Sequence, residues 1–217
     1  MEPVEGKGDL VRRIAVALRG HEGTNAAAAP PPPAPAGIGT EADRISRFRE
    51  QFESHGGNFL SAPAWEVLLP ALGEELRMAG VVALFFPDGD AEARHAAEAL
   101  VPFGPFTLVS SAEARQPASP LTAGLQTAEF AIAETGSIVQ TSRGGTSLLP
   151  GLLPDVHVAL LSPAAFVDRM EECLAAFGQD PPRNISFLSG PSRTADVEQT
   201  LTIGAHGPKK TVAVLLP

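Results

Sequence analysis

The feature that most constrains the fold is an alternation of short apolar runs with segments of helical period between Val81 and Leu216. The runs read VVALFF, FTLVS, HVALLS, NISFLS and TVAVLL. Apolar runs without polar alternation are typical of strands buried on both faces, as in a parallel sheet covered by helices. The chain is therefore predicted to form an α/β domain with a mostly parallel sheet.

The segments between the runs predict helices. They comprise Glu41–Ser54, Ala64–Ala79, the stretch AEARHAAEALV, and a helix that begins at Pro163 and continues to Phe177. The last of these places Cys173 on an apolar face, so we expect that thiol to pack in the core rather than to react. EFAIAE and GSIVQTS are predicted to be extended runs around a Thr-Gly turn.

Before this domain lie two segments of different character. Residues 1–20 contain DLVRRIAVALRG, whose apolar residues share one helical face, and are predicted to form an N-terminal helix. Residues 21–39 contain NAAAAPPPPAPAG, a Pro/Ala-rich linker that favours an extended conformation. The α/β domain is predicted to cover residues 40–217.

Composition excludes several classes of function. The net charge is −9, which argues against a general binder of nucleic acid or of anionic membranes. A single cysteine excludes a disulfide within the chain and a four-thiolate cluster site. The sequence has no apolar run long enough to span a bilayer and no pattern of a secretory signal, so we predict a cytoplasmic protein.

One candidate site is the stretch AETGS. Glu134 follows the predicted strand EFAI, and ligands in open α/β sheets bind beyond the carboxyl ends of strands. The carboxylate is a candidate nucleophile or general base, with Thr135, Gly136 and Ser137 as ligand-binding neighbours. The alternative is that Glu134 only accepts local hydrogen bonds and shapes the turn.

The second candidate is the stretch GPSRTADVEQTLTIGAHGP. We predict that a helix begins at Ser192, Arg193 or Thr194, where free backbone amides and the guanidinium could bind an anion. Asp196 and His206 are candidate catalytic residues, and Glu198 is a candidate ligand contact. The alternatives are a purely structural strand-turn-helix junction and, more weakly, a metal site formed by Asp196, Glu198 and His206.

The two common nucleotide-binding motifs are missing. No G-x-G-x-x-G follows a strand and no G-x-x-x-x-G-K-[ST] occurs, so the dinucleotide and P-loop motifs are absent. RGGTS, which starts at Arg143, is basic and Gly-rich. It could cradle a phosphate or form a mobile loop.

Three stretches together resemble the LUD domain family, in its lactate utilization protein C type. They are AEFAIAETGSIV, SLLPGLLPDVHVALLSP and GPSRTADVEQTLTIGAHGP, and the resemblance covers about residues 40–217. It implies a three-layer α/β/α fold like that of ribose-phosphate isomerase, glucosamine-phosphate deaminase and the CoA transferases, with additional N-terminal helices. By fold analogy, AETG is similar to the glutamate-bearing turn of CoA transferases.

The resemblance also implies a function. It implies a subunit that supports oxidation of L-lactate to pyruvate, with partner proteins that carry the iron-sulfur clusters. No cofactor and no resident metal are expected in this chain. Two alternatives stay open, an independent enzyme acting on an acyl-CoA or a phosphorylated small molecule, and a sensor that binds a small carboxylate through Arg193.

Overall fold

The computed structural model of the chain describes residues 39–112, 122–195, 201–203 and 207–217. The predicted helix over 1–20 and almost all of the linker lie outside the described residues. The strands in chain order are β1 (Asn58–Ser61), β2 (Ala83–Phe86), β3 (Thr107–Ser110), β4 (Thr122–Thr127), β5 (Phe130–Ile132), β6 (Ser137–Thr141), β7 (Val156–Leu161), β8 (Phe166–Val167), β9 (Ile185–Leu188), β10 (Arg193–Ala195), β11 (Leu201–Ile203) and β12 (Lys210–Leu215). The described helices are α1 (Glu41–Ser54), α2 (Trp65–Met78), α3 (Ala91–Leu100), α4 (Leu149–Leu152) and α5 (Met170–Phe177).

The centre of the domain is a six-stranded sheet in the order β1-β12-β7-β4-β2-β3. All of its neighbouring strands pair in parallel. Helices α2 and α3 cover one face, where Leu72, Leu76 and Leu100 pack against Leu84 and Val158. This arrangement explains why the predicted strands read as continuous apolar runs.

The other face of the central sheet carries α1 and a second sheet. Phe48 and Phe52 of α1 are fully buried and pack with Ala159 and Ala213 of the central sheet. The second sheet has the order β8-β5-β6-β9 and contributes Ile138 to the same core. The domain therefore has three layers, as the fold prediction requires.

Several further expectations are confirmed. The bounds of α1 agree with the predicted helix because Thr40 and Asp43 form a capping box at its first turn. EFAIAE and GSIVQTS form the antiparallel pair β5–β6. Cys173 is fully buried, and burial together with the nearby charge of Glu129 raises the pKa of its thiol to about 11. Among the described residues no helix is long and apolar enough to cross a membrane.

The predicted helix from Pro163 to Phe177 is wrong in its first half. Pro163–Ala165 forms one turn of 3-10 helix, and Phe166 then pairs in parallel with Ala131 as β8. The α-helix begins only at Met170. Burial of Phe166 against the ring of Phe48, at a centroid distance of 5.3 Å, stabilises the extended course over the helical one.

Two strands of the central sheet were not predicted at all. β1 lies at one edge of the central sheet, and β4 lies inside it between β7 and β2. The sequence of β4, TAGLQT, contains no continuous apolar run. Gly124 lies against the backbone of Pro150 in α4, and the Gln126 side chain donates a hydrogen bond to the carbonyl of Ser147. Small and polar residues at these positions mask a buried strand.

Candidate functional site

A crevice lies at the carboxyl edge of the central sheet. Strand β2 leads through α3 to β3 on one side, whereas β4 leads through the second sheet to β7 on the other side. The point between β2 and β4 is therefore the topological switch point, where open α/β sheets bind ligands. A cavity of about 480 Å³, here called the switch-point cavity, lies there between the loop after β2 and the end of β4.

One wall of the switch-point cavity is built by Asp90, the N-cap of α3. Its carboxylate accepts hydrogen bonds from the amide of Ala93 at 2.9 Å and from both the amide and the hydroxyl of Thr127 at 2.7 Å. Three hydrogen-bond donors and the positive end of the helix dipole stabilise the negative charge of this carboxylate. Asp90 therefore joins α3 to the end of β4 and fixes the shape of the wall.

The opposite wall carries an ion pair. Arg143 donates from Nε to Glu129 at 3.1 Å, and Glu129 also accepts a hydrogen bond from the hydroxyl of Thr141. About half of the Arg143 side chain is exposed, and its guanidinium also lies over the ring of Phe177, 5.8 Å from the ring centroid. Glu129 therefore holds the guanidinium at the cavity while leaving donors for a ligand.

The AETGS stretch lies elsewhere, at the tip of the β5–β6 hairpin. Glu134 is exposed there, and its backbone amide donates to the carbonyl of Asp168 at 3.0 Å. Gly136 has φ of 62°, and a Cβ atom at this position would clash with the backbone amide of Phe52. The glycine thus lets the turn pack directly on α1.

Three hydroxyls, here called the hydroxyl row, connect the two candidate motifs. The hydroxyl of Thr135 lies 2.7 Å from that of Ser137, which lies 2.7 Å from that of Ser189. Ser137 is buried, and Ser189 is exposed directly before Gly190. AETGS and the start of GPSRT are therefore neighbours in space.

The predicted helix start at Ser192 is wrong. Residues Arg193–Ala195 form β10, which pairs with β11 as an antiparallel hairpin. The amide of Ser192 donates to the carbonyl of Pro208 at 2.8 Å, so an extended segment replaces the expected cap. Thr194 and Thr202 are register partners in this pair, and β-branched residue types favour strand over helix. The anion-binding helix terminus proposed from the sequence does not exist here.

Arg193 nevertheless lines a cavity. Its Nη2 donates to the carbonyl of His55 at 2.8 Å, and a Cβ atom on Gly56 would lie only 2.7 Å from that nitrogen. A cavity of about 270 Å³, here called the Arg193 cavity, lies beside His55, Ser189 and Arg193. Among the described residues that line it there is no carboxylate, so their chemistry fits an anion better than a cation.

The remaining candidates cannot be placed. Asp196, Glu198 and His206 lie outside the described residues, and only the backbone of Thr194 is described. The metal site considered for the first three is therefore untested. Within the described ranges no three His, Cys, Asp or Glu side chains come together as a possible metal site.

Sequence reasoning missed most of the switch-point cavity. Asp90 and the pair Thr127 and Glu129 come from two separate segments, and no motif connects them. Arg143 was noticed only as part of a Gly-rich loop. The signal that could have found Asp90 is its position after the run VVALFFP and before a helical segment, which marks an N-cap at the carboxyl end of a strand.

Comparisons with known proteins agree with the fold. A family model described as the LUD domain matches residues 45–216. Lactate utilization protein C of Exiguobacterium sp. is 37% identical over 99 residues, which is 43% of each chain. That of Halalkalibacterium halodurans is 33% identical over 99 residues with the same shares. These matches span about two fifths of the length of the curated relatives.

A solved structure resembles the chain over a longer range. The crystal structure of a DUF162 family protein from Deinococcus radiodurans has a TM-score of 0.54 and 19% identity, and covers 82% of this chain and 99% of that chain. This likeness concerns the fold alone. Because the family model covers most of the sequence, the chain belongs to the LUD domain family.

Proposed function

We propose that this chain works in lactate utilization, as a lactate utilization protein C-like subunit that supports the oxidation of L-lactate to pyruvate. The observation that carries the proposal is the family match over residues 45–216, together with relatives named lactate utilization protein C. The proposal places the chain in the cytoplasm, beside partner proteins that carry iron-sulfur clusters.

The cluster belongs on a partner because this chain cannot hold one. Iron-sulfur clusters are bound by several cysteine thiolates. The chain has the single Cys173, which is fully buried, and the pKa of its thiol is raised to about 11. Electrons released by oxidation of lactate would therefore leave through another protein.

The two motif segments are proposed to form the ligand-facing surface of the subunit. Glu134 would act as the base, with the candidate catalytic residues Asp196 and His206 near it. The hydrogen bond between Ser137 and Ser189 supports the proposal, since it holds the two segments together. The proposed ligand contacts are Thr135, Gly136, Ser137, Ser192, Arg193, Thr194 and Glu198.

The Arg193 cavity favours a second candidate function, the sensing of a small carboxylate. His55 and Arg193 can both donate to an anion, and Nη2 of Arg193 also donates to the His55 carbonyl. A guanidinium binds carboxylates in a bidentate manner. This function predicts carboxylate binding without turnover, and Arg193→Ala would abolish it.

Deletion of the gene tests the main proposal. We expect the deletion strain to lose growth on L-lactate and to keep growth on pyruvate, because the proposed step lies between the two. Complementation with the intact chain should restore growth, and complementation with Glu134→Gln should not if Glu134 is the base. The tagged chain should also copurify with iron-sulfur proteins. Normal growth of the deletion strain on L-lactate, in the absence of a second lactate-oxidising system, contradicts the proposal.

A further inference from the structure

The stretch SLLPGLLP, which begins at Ser147, covers a group of buried polar side chains, here called the amide cluster. It consists of Gln126 on β4, Gln140 on β6, His157 on β7 and Thr211 on β12, each at most 1% exposed. In the register of the central sheet, His157 lies between Gly124 and Thr211, and Gln126 is two residues beyond Gly124. Three neighbouring strands therefore present polar groups on one face.

The hydrogen bonds of the amide cluster are incomplete. Nε2 of Gln140 lies 2.9 Å from Nε2 of His157, and Nε2 of Gln126 donates to the carbonyl of Ser147 at 3.2 Å. Because an amide nitrogen only donates, the imidazole accepts through Nε2 and carries its proton on Nδ1. Among the described protein atoms, four remain without a partner: Gln126 Oε1, Gln140 Oε1, His157 Nδ1 and Thr211 Oγ1.

Four such atoms in one place need an explanation. A buried polar atom without a hydrogen bond costs about 1–3 kcal/mol, and folded proteins contain few of them. Apolar side chains of similar size at these positions would avoid that cost. Binding of a ligand group therefore explains these polar side chains better than a contribution to the stability of the fold does.

The two amide oxygens converge on one point beneath α4. A Cβ atom on Gly151 would clash with Oε1 of Gln140 and would lie 3.1 Å from Oε1 of Gln126. A Cβ atom on Gly124 would clash with the carbonyl of Pro150. The backbone of α4 thus approaches the cluster as closely as glycine permits, and little more than a small group can enter.

The cover of the cluster is also the border of two cavities. Arg143 and Thr146 line the switch-point cavity, while Thr146, Ser147 and Leu149 line a second cavity of about 470 Å³. Between them, Gly144 and Gly145 have φ of 64° and 81° and no atom within 4 Å of a built Cβ. This segment is thinly packed, and Gln126 of the amide cluster also lines the switch-point cavity.

The chemistry of the two ends differs. The amide cluster contains no charged group, since burial lowers the pKa of His157 to about 4 and keeps its ring neutral. A neutral hydroxyl fits this end, because it can donate to an amide oxygen and accept from Nδ1 of His157. A carboxylate fits the mouth, where the Nη groups of Arg143 are exposed.

We propose that the amide cluster and Arg143 together bind a small 2-hydroxy acid, with its hydroxyl between Gln126, Gln140 and His157 and its carboxylate on Arg143. The choice of L-lactate as the ligand rests on the proposed function; the division into a hydroxyl end and a carboxylate end rests on the geometry alone. No chemical step is assigned to these residues.

The test is a cycle of two ligands and two proteins. L-lactate and propionate, which lacks only the hydroxyl, are titrated calorimetrically into the full wild-type chain and into Gln140→Met. We expect wild type to bind L-lactate about tenfold more tightly than propionate, which is the worth of one good buried hydrogen bond. Gln140→Met should bind the two acids equally.

Control variants localise the two ends. Arg143→Met should weaken both acids, whereas Arg77→Met, which changes an exposed arginine on α2, should weaken neither. The melting temperature of Gln140→Met should be close to that of wild type, because the change removes one unpaired oxygen from the core but also leaves Nε2 of His157 without its donor. Gln179→Met makes the same chemical change on an exposed turn and should change neither binding nor melting temperature.

Several outcomes overturn the proposal. They are the absence of L-lactate binding to wild type, the absence of a preference over propionate, and a preference that survives in Gln140→Met. Gln126→Met is the second variant if Gln140→Met does not fold; if neither folds, the amides support the fold and the proposal fails. Binding lost in Arg193→Met instead assigns the acid to the Arg193 cavity. A deletion strain that cannot use lactate, with a protein that binds none, preserves the proposed function and removes only this site.

Discussion

Strand β6 carries two polar regions that are built in opposite ways. At its first residue, Ser137 belongs to the hydroxyl row, in which neighbouring hydroxyls are 2.7 Å apart. Three residues further, Gln140 belongs to the amide cluster, in which four buried atoms have no partner among the described residues. One strand thus supports a completed set of hydrogen bonds and an incomplete one.

The two regions differ in how far each satisfies its own polar atoms within the chain. The hydroxyl row joins the β5–β6 hairpin to the segment that follows β9, and its groups complete one another within the chain. The amide cluster is more deeply buried and yet less satisfied, which a fold alone would not select. Perturbations that reach only one of the two regions can therefore test this distinction.

The largest effect is expected from Gly124→Ala, which disturbs the amide cluster and leaves the hydroxyl row untouched. The new methyl group would clash with the carbonyl of Pro150 and push α4 away from the central sheet. We expect a loss of about 3 kcal/mol or more in the free energy of unfolding, measured by urea denaturation.

Gly89→Ala is the matched control for this substitution. A Cβ atom at Gly89 would meet its nearest neighbour, the hydroxyl of Thr146, at an ordinary 3.7 Å. We expect a change within about 0.5 kcal/mol. Equal stabilities of Gly124→Ala and wild type would show that α4 is not seated on the cluster as described.

The second effect is a pH dependence that belongs to the amide cluster alone. Burial lowers the pKa of His157 from 6.5 to about 4 in the folded chain, so the unfolded chain binds the extra proton first. The stability from the neutral ring is complete above pH 6.5 and is lost as the pH falls toward 4. This shift corresponds to about 3 kcal/mol between pH 7 and pH 4.

Comparison with His157→Gln isolates this contribution. Acidification also weakens the hydrogen bond between Lys210 and Glu75, because that bond lowers the pKa of the Glu75 carboxyl. Such carboxylates act equally in both proteins and cancel. Urea denaturation at pH 7 and pH 4 should show the smaller loss in His157→Gln, and parallel losses in the two proteins would mean that His157 is hydrated.

The sequence predicted the parts of this molecule that repeat a local pattern. Thr40 followed by Asp43 marks the start of α1, and the continuous apolar runs mark most parallel strands. It failed where distant contacts override local preference. Phe166 lies in a helical pattern but forms a strand because of its burial against Phe48, and Gly124 and Gln126 hide β4 because they serve the packing of α4.

The candidate sites divide along the same line. The nearness of AETGS and GPSRT could be predicted from a family resemblance and is consistent with the bond between Ser137 and Ser189. The amide cluster could not, because its members come from four strands whose order in the sheet no local pattern gives. His157 in particular reads as one polar residue at the start of an apolar run.

The smallest effect is expected from Ser137→Ala, which breaks the hydroxyl row and leaves the amide cluster intact. The substitution removes two hydrogen bonds, but Ser189 is exposed and Thr135 is half-buried, so water can replace the lost partner of each. We therefore expect a loss of about 1 kcal/mol in the free energy of unfolding. The sign of the change in the free energy of unfolding is the informative result, since Gln140→Met on the same strand is expected to change that free energy little. A gain in stability from Ser137→Ala would mean that the hydroxyl row, like the amide cluster, does not stabilise the fold and is better explained by ligand binding.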